Sequence, residues 1–100
     1  RIKRAYAYGG VKREQPFVFE YDRQLVQGVI DLYFIEDGQL VIVDYKTDRV
    51  LRGRAGEDEL RRRYSIQLDY YAMALSQITG LKVKEKVIYS FALGRSLTVE

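Results

Sequence analysis

The sequence predicts an α/β domain built on one mixed sheet, with an antiparallel three-stranded meander, a crossover helix and a parallel strand. Three observations carry this prediction. Two alternating, β-branched-rich runs flank Asp37-Gly38, a strong short-range hairpin signal. Apolar residues from Leu60 to Ile78 recur at three- and four-residue spacing, the period of an amphipathic helix. A further apolar run over residues 84–93 follows that helix, and a strand–helix–strand order favours a right-handed crossover between parallel strands.

Taken in order, residues 1–13 show no clear period and read as a loop or an edge. From Pro16, the alternation of Phe17, Phe19 and Tyr21 suits a first strand. A turn at Asp22-Arg23 leads into a long strand over residues 25–35, and after the Asp-Gly turn a third strand covers 40–46. Gly53, Gly56 and many charges mark residues 48–58 as a mobile loop. A helix is expected over 58–79, with Leu60, Tyr64, Gln67 or Leu68, Tyr71, Leu75 and Ile78 on its buried stripe and Gly80 as its stop. Gly94-Arg95 then turns the strand at 84–93 into a short final one at 97–99.

The central hairpin is apolar on both faces. Strict alternation puts Val29, Tyr33, Ile35, Leu40 and Ile42 on one face and Ile30, Leu32, Phe34, Val41 and Val43 on the other. Such a sheet needs cover on both sides.

Composition narrows the chemistry. One hundred residues, 47% hydrophobic and 13% aromatic, fit one small folded domain. The absence of cysteine and histidine excludes disulfides, cysteine-ligated zinc or iron–sulfur clusters, all-histidine metal sites and Ser-His or Cys-His nucleophilic machinery. A metal here must be held by oxygen ligands, which points to Mg²⁺, Mn²⁺ or Ca²⁺. No apolar stretch approaches the roughly 20 residues of a membrane span and no signal-peptide pattern is visible, so a cytoplasmic location is expected. The net charge of +3 is a weak clue. Its distribution says more, because Arg1, Lys3, Arg4, Lys12 and Arg13 cluster near the start and Arg49, Arg52, Arg54, Arg61, Arg62 and Arg63 lie in and around one linker. Such clusters suit a phosphate backbone, although each arginine alone fits a solvated loop or helix start equally well. The start at Arg1 without methionine leads to the expectation of a fragment of a larger polypeptide.

The hairpin also brings chemistry together. With Asp37 and Gly38 as the loop, Glu36 faces Gln39 and Asp31 faces Asp44, with Cβ atoms roughly 4.5–5.5 Å apart. Like charges so placed destabilise a sheet unless neutralised. Lys46 emerges on the same face, about 6.6 Å along the strand from Asp44. Two readings remain open at this point: a divalent metal site held by Asp31, Asp44 and the backbone carbonyl of Tyr45, or a buried ion network closed by Lys46. In the first, metal-bound water attacks a phosphodiester, and Lys46 orients or deprotonates that water or stabilises the pentavalent phosphate. Downstream, Tyr64, Gln67 and Tyr71 share one helix face. A glutamine in that apolar stripe needs a partner, which a carboxylate or phosphate would supply; it also fits the edge of the stripe, with Tyr71 as core. Most of the nine tyrosines read as packing, and a minority suit stacking on unpaired bases.

The motifs Val26-Gln-Gly28-Val-Ile-Asp31, Val43-Asp44-Tyr45-Lys46-Thr47-Asp48 and Tyr64-x-x-Gln67-x-x-x-Tyr71, in this order, resemble those of the PD-(D/E)XK nucleases, in particular the RecB-like branch and its AddA-type helicase–nucleases. The resembling stretch begins at Arg13-Glu14-Gln15-Pro16-Phe17 and ends near Phe91. The resemblance implies a restriction-endonuclease-like core, with Asp31 and Asp44 as Mg²⁺ or Mn²⁺ ligands and Lys46 as the catalytic lysine. Gln67 and Tyr71 would support the site and contact DNA, and Glu14 matches an acidic position upstream. It also implies a C-terminal nuclease domain of a helicase–nuclease that processes double-strand breaks for recombinational repair, fed single-stranded DNA and paired with an AddB-like partner protein. The leading helix of that pattern is missing here or reduced to residues 1–13. No G-x-x-x-x-G-K-[ST] occurs, so ATP hydrolysis would lie elsewhere in the parent protein. The rivals are a CRISPR-associated or phage exonuclease of the same branch and a degenerate DNA-binding scaffold; the first often carries a cysteine cluster and the second would need a broken acidic pair or a lost lysine.

Overall fold

The computed structural model describes residues 10–99. Five strands form one sheet in the order β1 (Val11–Tyr21), β2 (Gln24–Glu36), β3 (Gln39–Lys46), β4 (Val83–Ser90) and β5 (Arg95–Val99). The first three pair antiparallel, β3 pairs β4 parallel, and β5 returns antiparallel on β4. A single helix among the described residues, α1 (Arg54–Thr79), makes the crossover from β3 to β4. The mixed α/β sheet expected from the sequence is the one present.

Both tight turns use left-handed backbone. Asp22 and Arg23 have φ of 51° and 64°, and Asp37 and Gly38 have 55° and 74°, which matches the right-handed twist of the strands they join. At the far end of α1, Gly80 at φ 73° donates its N–H to the Ser76 carbonyl at 2.9 Å and closes the helix.

Several boundaries differ from expectation for identifiable reasons. β1 begins at Val11, well before Pro16, because its N-terminal half pairs with Leu32, Tyr33 and Phe34 of the long second strand. Residues 11–13, expected in a loop or a reduced leading helix, therefore belong to an edge strand; residues 1–9, where the rest of that expectation falls, lie outside the described residues. The helix starts at Arg54 and so takes in residues 54–58, the last part of the segment expected as a mobile loop. Gly53, at φ 81°, ends the loop, whereas Gly56 is buried inside the first turn. A Cβ on Gly56 would lie 1.6 Å from the Leu51 carbonyl oxygen, so the glycine is what lets the loop pack against the helix. Ile78 is 59% exposed and leaves the buried stripe.

The main core lies between α1 and one sheet face, where Leu60, Leu68, Tyr71, Ala74 and Leu75 meet Phe17, Phe19, Ile30, Tyr33, Leu40, Ile42 and Ile88. A second cluster, Leu32, Phe34, Val41, Val43 and Val87, lies on the opposite face. Strict alternation put Ile30 with Leu32, yet the two point to different faces. On β1 likewise, Val11 packs on the far cluster and Phe17 on the near one. Both strands thus reverse faces at one level, around Glu14 and Asp31, and Glu14 has a φ of 49° that turns the backbone there. The same reversal moves Val29 off the helix side and leaves it 49% exposed, whereas Ile35, paired with Leu40, keeps the expected face but is 51% exposed at the strand end.

Candidate active site

The β2–β3 ladder runs from Glu36↔Gln39 to Leu32↔Val43 and stops there; the next position in register sets Asp31 opposite Asp44. Instead of a further ladder bond, the Tyr45 backbone N–H donates to Asp31 Oδ2 at 2.9 Å. The carboxylate of Asp31 therefore lies in the gap between the strands, at the level where β2 changes faces. Asp44 follows Val43 on a strand flanked by β2 and β4 and is only 2% exposed.

Burial decides the electrostatics. The Asp44 carboxyl is pushed up from its ordinary value to about 6, first by loss of water and then by the hydrogen bond it shares with Asp31, against the lowering effect of Lys46. Lys46 Nζ approaches Asp44 Oδ2 to 2.8 Å, an ion pair, but no well-directed hydrogen bond reaches that oxygen. Nζ also donates to Gln67 Oε1 at 3.0 Å and lies 4.0 Å from the centre of the Tyr64 ring. Gln67 thus finds its partner in the lysine, not in the carboxylate or phosphate the helical stripe suggested. The reason is reach: Lys46 extends from the end of β3 to the helix surface that Gln67 and Tyr64 present.

Tyr71, one turn beyond Gln67, is buried and held edge-on by Phe17, with ring centres 5.4 Å apart. Its hydroxyl is pushed up to about 12 by burial and then by the charges of Asp44 and Asp31, so it stays protonated beside them. Gly28 supports this arrangement from below. It pairs with Phe17, and a Cβ on it would meet that ring at 3.0 Å. Glu14 falls opposite Asp31 in the β1–β2 register and joins Arg13, Asp31 and Tyr45 around a cleft of about 470 Å³. It does not complete a cluster, since among the described residues no group of three His, Cys, Asp or Glu side chains comes together. A larger cleft of about 660 Å³ lies on the aromatic far face, lined by Tyr45, Tyr89 and Phe91 among others.

The sequence motif contained Asp48 without giving it a role. Its Oδ2 accepts the Tyr64 hydroxyl at 2.5 Å and Arg63 Nη1 at 3.0 Å, and these bonds, the Tyr64 one first, hold its carboxyl below the usual range. No periodicity signals this contact, because it joins a loop to a helix sixteen residues away.

The donor set fits a hard divalent cation. Asp44 Oδ2 is a buried carboxylate oxygen without a directed hydrogen-bond donor, and its neighbour Asp31 raises the cost of its charge. With two carboxylates and no third among the described residues, most of the coordination sphere would be left to water, as Mg²⁺ prefers.

The profile of the PD-(D/E)XK nuclease superfamily matches residues 3–97 of this chain. The chain belongs to that superfamily. Its mixed sheet and crossover helix are the restriction-endonuclease-like core of the PD-(D/E)XK fold. Among curated proteins, the A-type polypeptide of an ATP-dependent helicase/nuclease from Lachnoclostridium phytofermentans is 52% identical over 79 residues, 79% of this chain and 6% of that protein. Proteins of the same name from Thermoanaerobacter sp. (strain X514) and Acetivibrio thermocellus are 43% and 42% identical, covering 87% and 95% of this chain. The chain spans less than a tenth of these relatives' length, 8% and 9% of the latter two. No helix among the described residues is long and apolar enough to cross a membrane.

Proposed function

We propose that this PD-(D/E)XK chain is the nuclease domain of a cytoplasmic helicase–nuclease and hydrolyses phosphodiester bonds of single-stranded DNA with Mg²⁺ or Mn²⁺. The observation that carries the reading is the Asp44 carboxyl, buried, raised to about 6 and facing Asp31. A structural ion pair would be satisfied by Lys46 alone. A second carboxylate at the same level is explained by a cation of higher charge.

Asp31 and Asp44 would hold that cation, with the Tyr45 carbonyl beside them. When bound, it supplies charge stabilisation at the scissile phosphate and an acidified water as nucleophile. Lys46 Nζ is held in place by a carboxylate, an amide oxygen and a π face. Lys46 is assigned the cationic stabilisation of the pentavalent phosphate over the role of base. Gln67 holds Lys46 in place, and the protonated Tyr71 closes the site from the helix side.

The names of the relatives support a parent protein that couples this domain to an ATP-driven helicase. From the motif resemblance we further infer an AddB-like partner and a role in processing double-strand breaks for recombinational repair. The test is cleavage of single-stranded DNA by the full-length protein. Asp44→Ala and Lys46→Ala should each abolish it while leaving the folded state intact; normal cleavage by either variant refutes the assignment.

A further inference from the structure

The Lys46 ammonium has three neighbours among the described residues, and they are not equivalent. Asp44 is shared, since its carboxyl also faces Asp31. The other two are Gln67 Oε1 at 3.0 Å and the Tyr64 ring at 4.0 Å. A ring face has no directional lock of its own, so its position must be fixed from elsewhere. The Tyr64 hydroxyl supplies that fixing point, donating to Asp48 Oδ2 at 2.5 Å.

Asp48 is itself fixed. Arg63, next to Tyr64 on α1, places Nη1 on the same Oδ2 at 3.0 Å, and its Nε is held by Glu59 Oε1 at 2.9 Å. Val50 packs on the main core and the Leu51 carbonyl is in close contact with Gly56, so the loop on the other side of Asp48 is anchored as well. A carboxylate accepting a phenol O–H also makes the ring richer in electrons, which strengthens its attraction for a cation. The chain of contacts Asp48–Tyr64–Lys46 begins two residues past the lysine and returns to it through the helix.

We propose that Asp48 is a positioning residue for the reaction, acting through the Tyr64 ring to fix the Lys46 ammonium against the scissile phosphate. The inference rests on the nuclease reading above. It predicts that the geometry of Lys46, not the affinity for DNA, depends on Asp48.

The test uses the full-length protein, single-stranded DNA and Mg²⁺, with kcat and KM measured separately. Asp48→Asn and Tyr64→Phe should each lower kcat about three- to tenfold, the scale of a partly desolvated cation–π contact, with KM within about twofold. Tyr64→Leu should lose more, because the ring itself goes. The double variant Asp48→Asn/Tyr64→Phe should be no worse than either single one, since both cut the same link. Thermal melting followed in parallel separates this from unfolding. Unchanged kcat in Asp48→Asn and Tyr64→Phe, multiplicative losses in the double variant, or a loss confined to KM would each overturn the inference. Lys46→Ala distinguishes the two levels: if it cleaves normally the nuclease reading fails, and if it is inactive while the Asp48 and Tyr64 variants are normal, only the positioning role fails.

Discussion

The two ends of the β2–β3 hairpin carry the same three charges in opposite settings. At the turn, Glu36 and Asp37 are joined by Lys84 of β4, whose Nζ lies 2.9 Å from each. At the other end stand Asp31, Asp44 and Lys46. At the turn the groups are open to solvent, Asp37 largely and Glu36 and Lys84 in part, both carboxylates are paired, and the lysine is pushed up by Asp37 and Glu36. At the buried end one lysine must serve a carboxylate pair, and burial pushes the Asp44 carboxyl up to about 6. The composition is the same and the chemistry is not. What turns two acids and a lysine into a candidate metal centre is the removal of water around Asp44.

That comparison breaks most clearly under mutation. Asp44→Asn should reduce cleavage by more than about a hundredfold, the scale for loss of one preorganised charge-stabilising group. Asp37→Asn and Lys84→Ala, the equivalent changes at the turn, should leave cleavage and melting close to wild type. A comparable loss at both ends would show that burial is not the deciding variable.

The next effect is on stability. Asp44 is raised in the fold from 3.8 to about 6, so its protonated form adds stability that is fully present below about 3.8 and lost as pH rises through about 6. For a group this buried the shift corresponds to about 2–3 kcal/mol at most. In metal-free protein, wild type should lose stability relative to Asp44→Asn between about pH 4 and 6, and the difference should be flat above about pH 7. Asp48, held below the ordinary range, acts in the opposite direction and only at lower pH. Parallel melting curves across that window would contradict the buried, raised carboxyl.

The smallest effect concerns the arginines, which the same distinction sorts. Arg54, Arg61, Arg62 and Arg63 all meet acids on α1 or Asp48, and Arg95 meets Glu57. Arg49 and Arg52, in the loop after Lys46, have no such partner among the described residues. Replacing either with Ala should lower the slope of log affinity for single-stranded DNA against log salt by about 0.7. Arg62→Ala should leave it unchanged. An equal effect at Arg62 would show that pairing does not decide which arginines meet phosphate.

Much of this is legible in the sequence because it is local. The Asp37-Gly38 turn fixes register, and register alone brings Asp31 to the level of Asp44. Helical spacing puts Tyr64, Gln67 and Tyr71 on one face. The rest is non-local or conformational. The face reversal at Glu14 and Asp31 depends on one positive φ, and alternation assumes there is none. Gly56 reads as a helix breaker because its value lies in a contact with Leu51 that only the folded loop makes. The partner of Gln67 escapes the pattern for a similar reason. The length of a lysine side chain, not strand geometry, closes that gap. The role of Asp48 is hidden because nothing in its own strand or loop points to Tyr64.

The central claim is that Asp31 and Asp44 together form a cation site, and metal titration of the protein at a pH above about 7, where Asp44 is ionised, tests it most directly. Calorimetry with Mn²⁺ or Mg²⁺ should show binding in wild type that is lost in Asp31→Asn and in Asp44→Asn but kept in Asp37→Asn. Binding that survives loss of either buried carboxylate, or no binding in wild type, would contradict the account.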